Sequence, residues 1–160
     1  MKKLIIMVFV LLINFCYGQA SFDYKGQRHK FNKFLINENK KNNTIKKINA
    51  SEEFEGKFLG NVKTVTGKEY YLVNSSYVFD INSLAKTENH IFVYNDKKQF
   101  VGYYYLGQMY ELPKRLDDNK LYFEIKDCKE KITIDFSKGI PRAINLKCNN
   151  SNNYYEFKSH

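Results

Sequence analysis

Lys131-Ile132-Thr133-Ile134-Asp135-Phe136, then Ser137-Lys138-Gly139, then Ile140-Pro141-Arg142-Ala143-Ile144-Asn145-Leu146-Lys147, alternates apolar and polar residues on both sides of a turn. A period of two marks strands buried on one face. A three-residue loop with Gly139 in the left-handed conformation predicts a hairpin that sets Phe136 opposite Ile140, Ile132 opposite Ile144 and Cys128 opposite Cys148. The register gathers Ile132, Ile134, Phe136, Ile140, Ile144 and Leu146 on one face. Lys129, Lys131, Thr133, Asp135, Asn145 and Lys147 fall on the other, and a slip of one residue would mix the two sets. Arg142 is the misfit on the apolar face. Its stem can lie along the apolar rim of the sheet, or its guanidinium can bind an anion inside.

Opposite residues of an antiparallel pair have Cα atoms about 4.5 to 5.5 Å apart, which suits a disulfide between Cys128 and Cys148. Its contribution is expected to fall below the roughly 3 kcal/mol of the chain-entropy relation, because a hairpin is already local. A redox pair would more often read Cys-x-x-Cys, which is absent. A zinc site would need two further ligands, and His29, His90 and His160 all lie far from either cysteine in the chain.

Outward from this segment, short β-branched and aromatic runs separated by turn residues recur, with almost no helical periodicity. Val62 to Val65, Thr66-Gly67 and Glu69 to Val73 predict a hairpin, and Tyr77, Phe79 and Ile81 share a strand face. Ile91 to Tyr94 and Phe100 to Leu106 flank the turn Asn95-Asp96-Lys97-Lys98 and are apolar on both faces, as central strands are. Pro113 breaks the sheet. Leu121, Phe123 and Ile125 then alternate with Tyr122, Glu124 and Lys126 after the turn Asp117-Asp118-Asn119. Cys148 to Asn153 reads as a polar connection before a last strand, Tyr154 to Phe157. The expected fold is all-β: an antiparallel meander of eight to ten strands forming a small barrel or sandwich, with at most one short helix.

The N-terminal half is less regular. Residues 19–52 are polar and basic, and predict one edge strand near Phe31 to Ile36 followed by a mobile loop around Lys40-Lys41-Asn42-Asn43. Ser51-Glu52-Glu53-Phe54-Glu55 predicts one helical turn, capped by Ser51 and stopped by Gly56 and Gly60. The β-domain is expected over 53–160.

Met1-Lys2-Lys3, the apolar run Leu4 to Phe15 and the short stretch Cys16 to Ala20 have the three-part layout of a secretory signal. The run falls short of the roughly 20 apolar residues of a membrane span. Cleavage is expected between Gly18 and Gln19, making 1–18 a leader. Lipidation at Cys16 is disfavoured by the bulky Phe15 before it. The ending Tyr17-Gly18-Gln19 resembles the export signals of Bacteroidota, flavobacteria in particular, and that resemblance covers the leader alone. It implies a periplasmic or extracellular location, with no transmembrane span after cleavage. Removing Lys2 and Lys3 leaves 24 basic against 17 acidic residues, a formal charge of +7 instead of +9. Such a balance bears on solubility and on acidic partners, not on a reaction.

Nothing in the sequence specifies chemistry. Gly-x-Ser-x-Gly, His-Glu-x-x-His, a Walker loop, Gly-x-Gly-x-x-Gly and a calcium loop are all missing. No cofactor, metal or catalytic residue is implied. His90, preceded by Thr87-Glu88-Asn89, reads as an exposed turn histidine at a strand start. Asp117-Asp118 reads as a solvated turn. Tyrosines with lysines nearby offer stacking surfaces. The candidate ligand contacts are Tyr94, Tyr103, Tyr105, Tyr122 and Arg142, with core packing as the competing role for each tyrosine. The expected function is non-catalytic binding of an envelope or extracellular protein, a polysaccharide or an apolar small molecule, with nucleic acid disfavoured. An inhibitor or immunity role against a toxin or enzyme, and a carboxylate-dependent hydrolase, are the alternatives.

Overall fold

The computed structural model describes residues 24–49, 52–79, 85–126, 128, 131–149 and 151–160. The expected leader with its cleavage point, Cys16, the helix cap Ser51 and the strand residue Ile81 lie outside them. Among the described residues the fold is mostly β, as the sequence predicts, with one α-helix and ten strands in two antiparallel sheets and no closed barrel.

The larger sheet runs in the order β1 (Thr44–Asn49), β2 (Glu52–Lys63), β3 (Glu69–Phe79), β4 (Lys86–Asn95), β5 (Phe100–Leu106), β10 (Ser151–Ser159) and β9 (Ala143–Cys148). The smaller sheet runs β6 (Arg115–Asp117), β7 (Lys120–Phe123) and β8 (Ile132–Asp135). Both hairpins predicted before Leu106 form; β5 has the expected bounds, and β2, β3 and β4 are longer than the apolar runs alone indicated. The expected connection over 148–153 is shorter, because Ser151 to Asn153 already pair with β9.

The larger sheet is buried on both faces, and each face has its own core. On one, Leu72, Ile91, Val93, Tyr104 and Leu106 pack with Leu121, Phe123, Phe136, Ile144 and Leu146. On the other, Phe54, Phe58, Val73, Phe92 and Tyr94 pack with Phe31, Leu35 and Ile36 of helix α1 (Tyr24–Glu38). A bulge in β2 between Phe58 and Gly60 shifts the alternation by one, which turns Phe54 and Phe58 to the helix and Val62 to the opposite core.

Helix α1 replaces the edge strand expected near Phe31 to Ile36. Its buried positions are Arg28, Phe31, Asn32, Leu35 and Ile36, a full helical stripe at i, i+3, i+4, i+7 and i+8. Two of the five are polar, so an apolar pattern alone does not reveal the period. Gly56 lets the helix lie close to β2, since a Cβ there would collide with Leu35 and the Phe31 ring. The expected mobile loop is a tight turn. Asn39 and Asn42 take left-handed conformations there, and Asn42 N–H donates to the Phe58 carbonyl at 2.8 Å. The helical turn expected at Ser51 to Glu55 is strand β2 from Glu52 onward, paired on both sides.

The hairpin that opened the sequence reading is an arch. The Gly139 turn forms, its N–H donating to the Phe136 carbonyl at 3.0 Å, but β8 pairs with β7 and β9 pairs with β10. Ile140-Pro141-Arg142 carries the chain from one sheet to the other, and the Arg142 carbonyl accepts from Phe157 N–H at 2.9 Å. Strands that face each other across a core aim alternate residues at one another just as a hairpin collects them on one face. Phe136, Ile144 and Leu146 are core, with Ile132, Ile134 and Ile140 packed against it. The Cys128–Cys148 disulfide forms, with its Cα atoms 5.3 Å apart, and ties the connection between β7 and β8 to the end of β9 in the other sheet.

The restraint on the unfolded chain depends on the 20-residue separation of the two cysteines and not on which strands they join, and the arch lacks the backbone ladder that would make a hairpin link redundant. The Cys128→Ser, Cys148→Ser double variant is therefore expected to lose the full chain-entropy contribution, about 3 kcal/mol. Urea unfolding at neutral pH measures it, and a loss near zero would mean that the arch holds without its tether.

Candidate functional site

Helix α1 packs against β2 and β3. The same face of β4, β5 and β10 extends beyond it, and between the helix and that uncovered part lies a cavity of about 760 Å³. This is within the range of small-molecule sites, roughly 300 to 1,000 Å³. Lys25, Arg28, His29 and Lys33 form the helix wall; Glu88, His90 and Phe92 of β4 with Phe100, Tyr103 and Tyr105 of β5 form the floor; Lys158 and His160 close the far side. The chain has three histidines, and all three are here.

Strand pairing explains the floor. His90 lies opposite Tyr105 and Phe92 opposite Tyr103, so alternation puts all four side chains on the helix side. Tyr104, between the two cavity tyrosines, points into the other core and donates its hydroxyl to the Pro141 carbonyl. A bulge between Val93 and Tyr94 brings Phe100 onto the same floor, its ring nearly parallel to that of Tyr103 at 15°.

The helix wall is held by Arg28, which is 2% exposed. Its Nε donates to Ser75 Oγ at 2.9 Å and its Nη2 to the backbone carbonyls of Ser75 and, at 3.0 Å, Glu88. Nη1 meets the Glu88 carboxylate at 3.2 Å, and the guanidinium lies 5.0 Å from the Phe92 ring centroid. The next residue of the helix, His29, has its Nδ1 2.9 Å from the Tyr94 hydroxyl, which also accepts from Asn32 Nδ2, one turn on, at 3.1 Å.

His90 is the unusual group. It is not the exposed turn residue expected from its neighbours, because β4 starts at Lys86 and places His90 inside the strand, 7% exposed. The rings of Tyr103, Phe92 and Tyr105 surround it at 4.8, 5.1 and 5.1 Å between centroids. Its Nδ1 is buried without a hydrogen-bond partner among the described residues. Burial first, then the positive charges of Arg28 and Lys158 and the neighbouring His29, push its pKa down to about 3. The imidazole is therefore neutral at neutral pH.

Of the candidate contacts, the structure brings together Tyr103 and Tyr105 only. Tyr94 is fully buried beneath the helix, its hydroxyl engaged by His29 and Asn32. Tyr122 is in the small sheet with the Arg115 guanidinium 3.8 Å over its ring. Arg142 is exposed at the arch, the first of the two placements the sequence allowed. The residues missed were Lys25, Arg28, His29 and Lys33 on the helix, Phe100, and Lys158 and His160 at the chain end. The helical spacing of the first four was the available signal.

Among the described residues no three of His, Cys, Asp and Glu converge to hold a metal ion, and no helix is long and apolar enough to cross a membrane. Comparison of the chain with protein-family models, with curated proteins and with solved structures found no match.

The His90 shift has a sign that can be measured. Above about pH 6.5 the ring is neutral folded or unfolded; between that value and about 3 only the unfolded chain binds the proton, so stability falls as pH falls through this window. The slope is at most about 1.4 kcal/mol per pH unit. His90→Gln is expected to be less sensitive to acid than the parent between pH 6.5 and 5, by about 2 kcal/mol in urea unfolding. Equal sensitivity would contradict the burial of a neutral imidazole.

Proposed function

We propose that the protein is an exported, non-catalytic binding protein whose ligand enters the cavity between α1 and strands β4, β5 and β10. The observation that carries this reading is the convergence of all three histidines, four of the basic side chains and four aromatic rings on one cavity of small-molecule size. A core position has no use for three lysines, and an ordinary solvated face has no use for Phe92 and Phe100. Among the described residues the single carboxylate of the cavity, Glu88, is engaged by Arg28, which favours binding over acid-base chemistry. Export is supported by the leader pattern of the first 18 residues and by the Cys128–Cys148 disulfide, a bond that persists in oxidising compartments.

The fluorescent anion 8-anilinonaphthalene-1-sulfonate tests the location. One saturable site is expected for the mature chain. Phe100→Ala, which removes part of the floor, is expected to weaken it about tenfold, in line with the loss of one large apolar contact. Tyr122→Ala in the other sheet is expected to leave it unchanged. Absence of saturable binding, or equal effects of the two substitutions, would overturn this reading.

A further inference from the structure

Resting on that reading, we infer that the ligand is an organic anion, its acidic head taken by Lys25, Lys158 and a hydrogen bond donated by His90, its apolar body lying on Phe92, Phe100 and Tyr103. Charge is the first argument. The side chains of the cavity wall include Lys25, Arg28, Lys33 and Lys158 against one acidic side chain, Glu88. Glu88 meets Arg28, and Lys25, Lys33 and Lys158 form no ion pair among the described residues. All three lysines are solvent-exposed at the cavity rim, so water and salt screen their mutual repulsion; what they leave is a positive potential over the opening that draws an anion.

His90 is the second and independent argument. Buried polar groups are nearly always hydrogen-bonded, so an orphan in a cavity wall calls for an explanation. Its Nδ1 is sealed and has no partner among the described residues. The tautomer that leaves the lesser deficit keeps a lone pair on Nδ1 and the proton on Nε2, since an orphaned acceptor is tolerated better than an orphaned donor. A neutral ring then offers a donor to the cavity without adding a fourth full charge to its wall. An anion's oxygen is the acceptor that such a donor fits, and hydrogen bonds to charged groups contribute about 1.5 to 3 kcal/mol.

The floor sets the rest of the ligand. Phe92, Phe100 and Tyr103 supply ring faces where a polar body would lose its water without recompense. A phosphate ion or a bare sugar acid therefore fits the head and not the body. An aromatic carboxylate and an acyl chain share the chemistry that does fit.

Titration calorimetry of the mature protein with 2-naphthoate, dodecanoate and their neutral primary amides tests this. Each carboxylate that binds is expected to exceed its amide by at least tenfold, and the ratio between the two carboxylates tells a ring-bearing body from an acyl chain. His90→Phe is expected to lose about tenfold for the carboxylate, while His90→Gln, which keeps a distal N–H, is expected to stay within about threefold of the parent. Equal binding of acid and amide, or full affinity in His90→Phe, would overturn the inference and leave the cavity a binding site. Failure of every probe, 8-anilinonaphthalene-1-sulfonate included, would instead overturn the proposed function itself.

Discussion

The site depends on Arg28, because its guanidinium sets where the helix lies on the sheet. It reaches Ser75 on β3 and Glu88 on β4 at once, so the helix is fixed to two neighbouring strands by one side chain. The charge is withdrawn from water and would be costly alone. Hydrogen bonds to two backbone carbonyls and a hydroxyl, with one carboxylate, offset that cost. The planar fork makes this possible, and a lysine in its place could not span the same partners. With the helix held over β2 and β3, the remaining width of the sheet is left open as a cavity.

Burial of the sheet on both faces is the second constraint. A seven-stranded sheet with an apolar surface on each side needs two covers, and this chain supplies them from its two ends. The N-terminal helix covers one face with a stripe of three apolar and two polar residues. The other is covered by the small sheet and the arch, whose cross-over at Ile140-Pro141-Arg142 is tethered by the Cys128–Cys148 bond. Since the smaller cover is made of short strands, a covalent tie at its far end compensates for limited contact.

The candidate cavity lies where the first cover is incomplete. The uncovered strip combines a buried neutral histidine, exposed lysines without an ion pair among the described residues, and a floor of rings. Burial first, and then the positive charge at the wall, keep His90 neutral.

Alternation along single strands was legible in the chain. It located the arch residues of the core, the strand Leu121 to Phe123, the two hairpins and the cysteine pair, because period-two burial is a local property of extended backbone. Partner choice at the arch was not legible. Phe136, Ile144 and Leu146 have one pattern whether their strands pair side by side or face one another across a core, and only the crossing to the β10 edge separates the two. The helix escaped notice for a related reason: Arg28 and Asn32 occupy buried positions that a search for apolar period leaves blank, and their partners on β3 and β4 are about fifty or more residues away in the chain. Two site residues, Tyr103 and Tyr105, could be named from composition, whereas Lys25, Arg28, His29, Phe100, Lys158 and His160 became a site through tertiary structure alone. Sequence by itself determined the class of fold, the faces of several strands after Val62 and the cysteine pair; tertiary structure decided what the N-terminal segment becomes, which distant strands meet and which polar groups share a cavity, since those depend on contacts between distant segments that no local pattern records.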